Sequence, residues 1–118
     1  MPTTSKPDKS LKLTPEEQEV LDYHRRNLAT GMYQTNPDGS LTTFKGAVFD
    51  TPTGATLVPT YWHGQVREPH EGYRMAVKSG IKFPQYKSRE EALAREQAIH
   101  DIMAADIQAY QAQRKAKP

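Results

Sequence analysis

The sequence predicts an α+β fold: an N-terminal helix, a small antiparallel β-hairpin or meander, a short helix and a long C-terminal helix. Two capping signatures, Thr14 with Glu17 and Ser88 with Glu91, mark the starts of the first and last helices. Between them, short runs of β-branched and aromatic residues are separated by turns that contain Pro and Gly, which is typical of hairpins. A chain of 118 residues supports one domain with a modest core.

The first helix is predicted to begin at Pro15, which suits the first helical position, with Thr14 as its cap. Gly31 is a natural stop for this helix. Its apolar face consists of Val20, Leu21, His24 and Leu28. This spacing predicts an amphipathic helix.

The strands are predicted from the turns between them. In the turn of residues 36–40, Pro37 presets φ and Gly39 accepts a positive φ, and residues 51–54 form a second turn. The predicted strands are a short one at 32–35, a longer one at 41–50 and a return strand at 55–61. Pro59 cannot donate to a ladder, so the return strand should lie at an edge or leave the sheet there.

Residues 69–79 allow two interpretations. Large apolar residues occupy every second position over 73–78, at Tyr73, Met75 and Val77, which is a strand pattern. However, Pro69 suits the start of a helix and Gly80 its end. We favour the helix. Residues 81–86 are predicted to be extended, because their proline keeps the preceding residue out of the helical region.

The last helix has the clearest pattern, since apolar residues recur at helical spacing behind the Ser88 cap. These residues are Ala92, Ile99, Met103, Ile107 and Tyr110. A helix that continues to about residue 113 is roughly 37 Å long at 1.5 Å per residue. A domain this small rarely needs such a length. We therefore expect the end of the helix to project and pack on a partner, with Ile107 and Tyr110 as contacts.

Charge is segregated along the chain. Basic residues outnumber acidic ones at both ends, whereas residues 14–113 carry ten Lys/Arg and thirteen Asp/Glu, a net charge of −3. We expect an extended basic arm over 1–13, a single domain over 14–113 and a basic tail over 114–118. The basic residues of the ends are Lys6, Lys9, Lys12, Arg114, Lys115 and Lys117. Nucleic acid contact is expected only there, and solvated ends that keep the chain soluble are the simpler alternative.

No catalytic or metal-binding motif is visible, so we expect a non-enzymatic protein without a cofactor or metal. The histidines are His24, His63, His70 and His100, and their spacing matches no zinc or iron signature. The chain has no cysteine, no nucleophile elbow and no phosphate-binding loop. No apolar run approaches the roughly 20 residues of a membrane span, so no membrane association is expected either.

An aromatic segment follows the predicted return strand. Tyr61, Trp62, His63 and Arg67 would form an exposed recognition surface in one interpretation, since Trp, Tyr and Arg are enriched in interface hot spots. In the other, Trp62 closes the core of a small sheet, because aromatic side chains dominate small cores. The sequence leaves both interpretations open.

An ordered set of short motifs runs from about residue 36 to residue 106. The motifs are Asp38-Gly39-Ser40, Leu57-Val58-Pro59-Thr60, Gly64, Ala76, Gly80, Phe83, Tyr86, Ser88-Arg89-Glu90-Glu91-Ala92 and Ile99-His100. In order and spacing they resemble a module of small tailed-bacteriophage and prophage virion proteins, internal or tail-associated. The resemblance implies a structural component of the virion, made in the bacterial host cytoplasm, that docks on other phage virion proteins. It implies no catalytic residues and leaves self-association in the particle open.

A second interpretation follows if residues 73–78 form a strand. The body would then be a three-stranded antiparallel sheet followed by a helix, which resembles the AP2 and integrase-arm type of DNA-binding domain. Its contacts would be Arg67, Arg74, Lys78 and Lys82. The net negative charge of residues 14–113 argues against this interpretation.

Overall fold

The computed structural model describes residues 12–116 and has the α+β architecture that the sequence predicts. The elements in chain order are α1 (Pro15–Ala29), β1 (Gln34–Thr35), β2 (Leu41–Thr42), β3 (Gly46–Thr51), β4 (Gly54–Pro59), β5 (Tyr61–Trp62), β6 (Gln65–Val66), α2 (Pro69–Ser79), β7 (Gln85–Tyr86) and α3 (Arg89–Ala116). Within these residues the strands form three small antiparallel sheets, β1–β2, β3–β4–β7 and β5–β6. No helix in this part of the chain combines the length and the apolar character that a membrane crossing requires.

The predicted caps of α1 and α3 are confirmed. Thr14 Oγ1 accepts from the Glu17 N–H at 3.1 Å, and Glu17 Oε1 accepts from the Thr14 N–H at 2.9 Å. Ser88 Oγ accepts from the Glu91 N–H at 3.1 Å, while the Glu91 carboxylate reaches back to the Lys87 N–H at 3.1 Å. Both helices therefore begin where side chains satisfy backbone donors that have no partner within the helix.

Residues 69–79 are helical, so the strand interpretation of 73–78 is wrong. The Glu68 side chain caps α2 by accepting a backbone hydrogen bond at 3.0 Å, and Pro69 occupies the first turn. Gly80 ends the helix in the left-handed conformation, with φ of 76°. Because both ends are capped in this way, the local sequence stabilises a helix despite the alternating pattern.

The predicted strand at 41–50 is divided between two sheets. β2 pairs with β1 and β3 pairs with β4, whereas Thr43 and Phe44 belong to neither ladder. The Thr43 carbonyl accepts from Asn27 Nδ2 at 2.9 Å, and the Thr43 hydroxyl contacts the His24 ring. Side-chain bonds from α1 thus replace the ladder bonds at this point.

The predicted return strand at 55–61 is also divided. β4 ends at Pro59, as its missing N–H predicts, and Tyr61 belongs to the separate β5–β6 hairpin, where it pairs with Val66. At the break, the Thr60 N–H and hydroxyl both donate to the Lys45 carbonyl, at 2.6 and 3.0 Å. The chain therefore turns out of the central sheet directly after Pro59.

The central β3–β4–β7 sheet has a helix on each face. Phe49 on one face packs against Tyr73 of α2, with ring centroids 4.9 Å apart. Gly46 on the other face lies so close to α3 that a Cβ there would be 2.4 Å from Glu96 Oε2. The buried apolar residues that join these layers include Val20, Leu57, Val58, Ala76, Ile99 and Met103.

α3 continues past the predicted end and includes Arg114. Its 28 residues correspond to about 42 Å at 1.5 Å per residue. The first half packs on the central sheet through Ile99 and Met103. The second half lies beside the β1–β2 hairpin, where Gln111 Nε2 donates to the Gly39 carbonyl at 3.0 Å.

Candidate docking surface and buried polar networks

Tyr61 and Trp62 lie in the core, so the expectation that they form an exposed recognition surface is wrong. Tyr61 is 0% exposed and Trp62 is 7% exposed. The Tyr23 hydroxyl donates to the Tyr61 carbonyl, and Trp62 Nε1 donates to the Pro59 carbonyl at 2.7 Å. The polar atoms of this aromatic cluster are thus satisfied inside the protein, as the core interpretation of Trp62 requires.

His63 and Arg67 lie at the two ends of the β5–β6 hairpin. His63 is exposed, and its φ of 53° with Gly64 at 79° places both residues of the tight turn in the left-handed region. Arg67 is half-buried, and its Nε donates to the Trp62 carbonyl at 3.3 Å. Of the predicted aromatic segment, only His63 is exposed.

Ile107 and Tyr110 are both half-buried, and Tyr110 packs within the chain instead of projecting. The Tyr110 hydroxyl bonds the Tyr33 hydroxyl at 2.8 Å, with the two rings edge to face. The Arg114 guanidinium lies 5.6 Å from the centre of the Tyr110 ring and donates to its hydroxyl at 3.3 Å. The end of α3 is therefore held by the region that follows α1.

The basic ends are only partly described. Lys12 is exposed, and its carbonyl accepts from Arg95 Nη2 at 3.0 Å, which fixes this point of the chain to α3. The predicted residues Lys6, Lys9 and Lys117 and the side chain of Lys115 lie outside the described residues. Arg114 is exposed on the last turn of α3 that has described side chains.

Glu17 is the centre of a buried ionic network. Its side chain is 0% exposed, and Arg95 donates to both of its oxygens, at 2.8 and 2.6 Å. The Tyr86 hydroxyl donates at 2.7 Å, in addition to the Thr14 N–H. Burial by itself would raise the pKa of Glu17, but the hydrogen bonds from Arg95, Thr14 and Tyr86 outweigh it and lower the pKa to about 2. The carboxylate therefore ties α1, β7 and α3 together.

His24 is the centre of a second buried network. Its Nδ1 lies 2.5 Å from Thr43 Oγ1, and its Nε2 lies 3.1 Å from Asp106 Oδ2, which also accepts from Arg25 Nε at 2.8 Å. Burial lowers the pKa of His24, against the opposite effect of Asp106. In the neutral ring, Nε2–H then donates to the carboxylate and Nδ1 accepts from the Thr43 hydroxyl.

The order of hydroxyl, imidazole and carboxylate in this network is that of a nucleophilic triad. Sequence reasoning missed it, because Thr43 and Asp106 are 19 and 82 positions from His24. However, His24 is 0% exposed and Thr43 is 2% exposed. A nucleophile needs access to a substrate, and this hydroxyl has none in the described fold. We therefore interpret the network as a structural link between α1 and α3.

The other three histidines do not join these networks. His63, His70 and His100 are exposed and lie in the turn between β5 and β6, in α2 and in α3. Within residues 12–116, no group of three or more metal-ligating side chains converges. The described residues thus bring no candidate metal centre together.

An open surface with apolar walls lies beside α2, where sequence reasoning placed no site for docking on a protein. We call it the α2 groove, a cavity of about 200 Å³ between α2, β4 and residues 81–85. Its lining includes Thr56, Val58, Tyr73, Val77, Ile81 and Lys82. Val77 is 65% exposed although it is apolar. The sequence signal was present, since Tyr73 and Val77 share one face of the favoured helix, but nothing indicated that the core leaves this face partly uncovered.

Comparison with protein-family models, curated proteins and solved structures finds no match for this chain. The class of protein therefore rests on the fold and the surface. The chain is an α+β domain whose buried ionic groups are bonded to one another and whose α2 face carries an open apolar groove.

Proposed function

We propose that this chain is a non-enzymatic accessory protein of a bacteriophage virion, tail-associated or internal, that docks on larger virion proteins. The virion setting rests on the resemblance of the motifs between residues 36 and 106. The docking role is carried by one structural observation, the α2 groove, whose lining residue Val77 is 65% exposed. An open apolar surface on a small protein is a common mark of a protein–protein contact.

The buried networks support a structural role over a catalytic one. Both oxygens of Glu17 and both ring nitrogens of His24 are bonded to other groups of the fold. A general acid, base or nucleophile must instead reach the reacting atoms of a substrate. Glu17 and His24 hold helices together, and neither has a polar side-chain atom that is free for a reaction.

DNA binding through the central sheet receives less support. It required a strand at 73–78, and these residues belong to α2. Both faces of the central sheet are packed against helices, so the sheet cannot enter a major groove as a sheet-type reader does. The form of this alternative that remains is a contact between DNA and the exposed basic residues of α2, and the titration described below tests it.

Mass spectrometry of purified particles is the direct test. We expect the chain to copurify with the virion through density-gradient centrifugation and to cross-link to a larger virion protein through lysines beside the α2 groove. Its absence from purified particles would refute the proposal.

Two matched variants test the docking surface within the particle. Val77→Asp adds a charge to the wall of the α2 groove, whereas Leu93→Asp adds the same charge at an apolar residue of α3 that is 48% exposed. We expect the first variant to be lost from particles and the second to be retained. Equal incorporation of both would exclude the α2 surface as the contact.

A titration with duplex DNA at several salt concentrations tests the alternative. Docking on protein predicts no binding even at low salt. Binding that weakens steeply with salt would favour nucleic acid, because the release of counterions from the backbone gives that dependence.

A further inference from the structure

The central sheet has a free edge along β3. This strand lies at one end of the order β3–β4–β7, and no other strand within residues 12–116 pairs with its outer side. An edge strand carries a row of backbone donors and acceptors without partners in the sheet, and such a row can pair with another chain. β3 has six residues, so its edge is long enough to form a short ladder.

The register with β4 shows which residues of β3 turn their backbone groups outward. The Leu57 N–H donates towards β7, to the Pro84 carbonyl at 3.0 Å, and is therefore not bonded to Val48, its neighbour across the ladder. Hydrogen-bonded and non-bonded pairs alternate along an antiparallel ladder. The N–H and C=O groups of Val48, and those of Gly46 and Asp50 two positions away, therefore point away from the sheet.

The outer edge is open to solvent and carries charges of both signs. Arg89 Nη2 donates to the Val48 carbonyl at 2.9 Å in an exposed position, and Arg89 Nε lies 3.6 Å from the Asp50 carboxylate. The Arg89 side chain is 52% exposed and that of Asp50 is 74% exposed. Exposed ion pairs contribute little, so Arg89 can exchange these contacts for equivalent ones. Charges at an edge oppose pairing unless the occupant complements them, here with one acid and one base.

A second copy of β3 supplies that complement. Gly46 and Val48 face α3, where Arg89 lies, whereas Phe49 faces α2. When Val48 lies opposite Asp50 of the second copy, the two residues are about 4.5–5.5 Å apart. Each Arg89 then reaches the Asp50 carboxylate of the other copy, and the two Phe49 side chains meet at the two-fold axis as a cross-strand aromatic pair.

The registers two residues away on either side are unfavourable. In one, Asp50 lies opposite Gly46 of the other copy, beside the carboxylate of Glu96, so two negative charges approach. In the other, the two Asp50 side chains lie opposite each other, which is destabilising. Val48 would then lie opposite Pro52, which has no N–H to donate. The side chains therefore select the register in which Val48 faces Asp50.

We propose that the chain forms a weak two-fold dimer by antiparallel pairing of its β3 edges, which joins two three-stranded sheets into one. Each Val48–Asp50 pair exchanges two backbone hydrogen bonds. Arg89 gives up the Val48 carbonyl to the incoming Asp50 N–H and binds the carboxylate of that residue instead. So small an interface predicts a dissociation constant of about 0.1 mM. This inference concerns a different surface from the α2 groove and does not depend on the virion proposal.

Sedimentation velocity and amide exchange measure the pairing on the isolated protein. We expect the weight-average mass to rise from monomer towards dimer between about 10 µM and 1 mM. In water-exchange NMR, the amides of Val48 and Asp50 should exchange about threefold more slowly at about 1 mM than at about 50 µM, by mass action. The Phe49 amide, which faces β4, should exchange at the same rate at both concentrations and is the internal control.

Two charge reversals test the register. Asp50→Arg places like charges across the axis, as does Arg89→Glu, so each variant alone should remain monomeric at about 1 mM. An equimolar mixture of the two should recover the dimer, because each Glu then faces an introduced Arg and each native Arg89 faces a native Asp50. Lys82→Glu, a reversal at a side chain that is 85% exposed beside Glu16, should dimerise like the parent protein. Circular dichroism checks that all variants are folded.

The outcomes separate the occupants of the edge. A parent protein that stays monomeric at about 1 mM, with exchange at Val48 and Asp50 independent of concentration, would overturn the inference. A dimer that survives both reversals, or one that the mixture does not restore, would overturn the β3 register. Monomeric protein whose β3 edge cross-links to a different virion protein in purified particles would overturn the choice of a second copy.

Discussion

The two sides of the central sheet differ in whether their buried polar side chains are hydrogen-bonded. On the side of α1 and α3, Glu17 and His24 are fully buried and every polar atom of their side chains is bonded. On the side of α2, Thr56 is buried without a partner and Val77 is 65% exposed. Bonded polar groups stabilise the fold, whereas a buried polar group without a partner costs stability. The comparison separates a side whose buried side chains hold the elements together from a side that leaves apolar surface open.

The largest expected effect is the loss of Arg95. Arg95→Ala leaves the Glu17 carboxylate buried without its ionic partner, which should cost about 3–5 kcal/mol in the free energy of unfolding. The matched control is Arg89→Ala, whose guanidinium is 52% exposed and lies 3.6 Å from the exposed Asp50. It should cost less than about 1 kcal/mol. Urea denaturation followed by circular dichroism measures both, and similar losses would contradict the structural role of the Glu17 network.

Acid should lower the free energy of unfolding through the same Glu17 network. The pKa of Glu17 is about 2 in the folded protein, below its ordinary value of 4.5. The stability that this group contributes is therefore complete above about pH 4.5 and is lost as the pH falls towards 2, with a total of about 3 kcal/mol. Chemical denaturation at a series of pH values measures the slope, and Glu17→Gln should flatten it in that window. A slope that the substitution leaves unchanged would contradict the low pKa.

His24 should add a loss of stability at higher pH. Because burial lowers its pKa below the ordinary value of 6.5, the unfolded chain binds a proton there more readily than the folded protein. Stability should therefore begin to fall as the pH drops below about 6.5, which is above the window of Glu17. Stability curves for His24→Asn measure this contribution, since that variant should keep the Glu17 window and lose the earlier one.

The sequence predicted the helices better than the contacts between them. The caps at Thr14 and Ser88 depend on neighbours within a few positions, so local chemistry was enough to locate both helix starts. The division of the strand at 41–50 depends on bonds from α1, and the Glu17–Arg95 pair joins residues 78 positions apart. No periodicity or spacing encodes such pairings, because they arise only when the elements pack.

The candidate site was predicted less well than the fold. Trp62 and Val77 are both apolar residues with polar neighbours in the sequence, yet Trp62 is 7% exposed and Val77 is 65% exposed. Which of them the core covers depends on where α2 crosses the sheet. A sequence pattern gives the face of a helix but not its position over a sheet. For the same reason, the lack of a partner at Thr56 was visible only in the structure.

The same substitution, Thr to Val, at Thr43 and at Thr56 compares the two sides of the central sheet most directly. Thr43→Val removes the hydroxyl that His24 Nδ1 contacts at 2.5 Å, and the buried nitrogen then has no partner. We expect a loss of about 1–3 kcal/mol in the free energy of unfolding. Thr35→Val, at an exposed position of β1, should stay within about 0.5 kcal/mol of the parent protein and serves as the control.

The same change at Thr56 should have the opposite sign. Thr56→Val replaces a buried hydroxyl that has no partner by a methyl group of similar shape, so it removes a desolvated polar atom and breaks no hydrogen bond. The free energy of unfolding, measured by urea denaturation, should rise by up to about 1 kcal/mol. A loss of stability like that of Thr43→Val would mean that Thr56 serves the fold, and the difference between the two sides of the sheet would disappear.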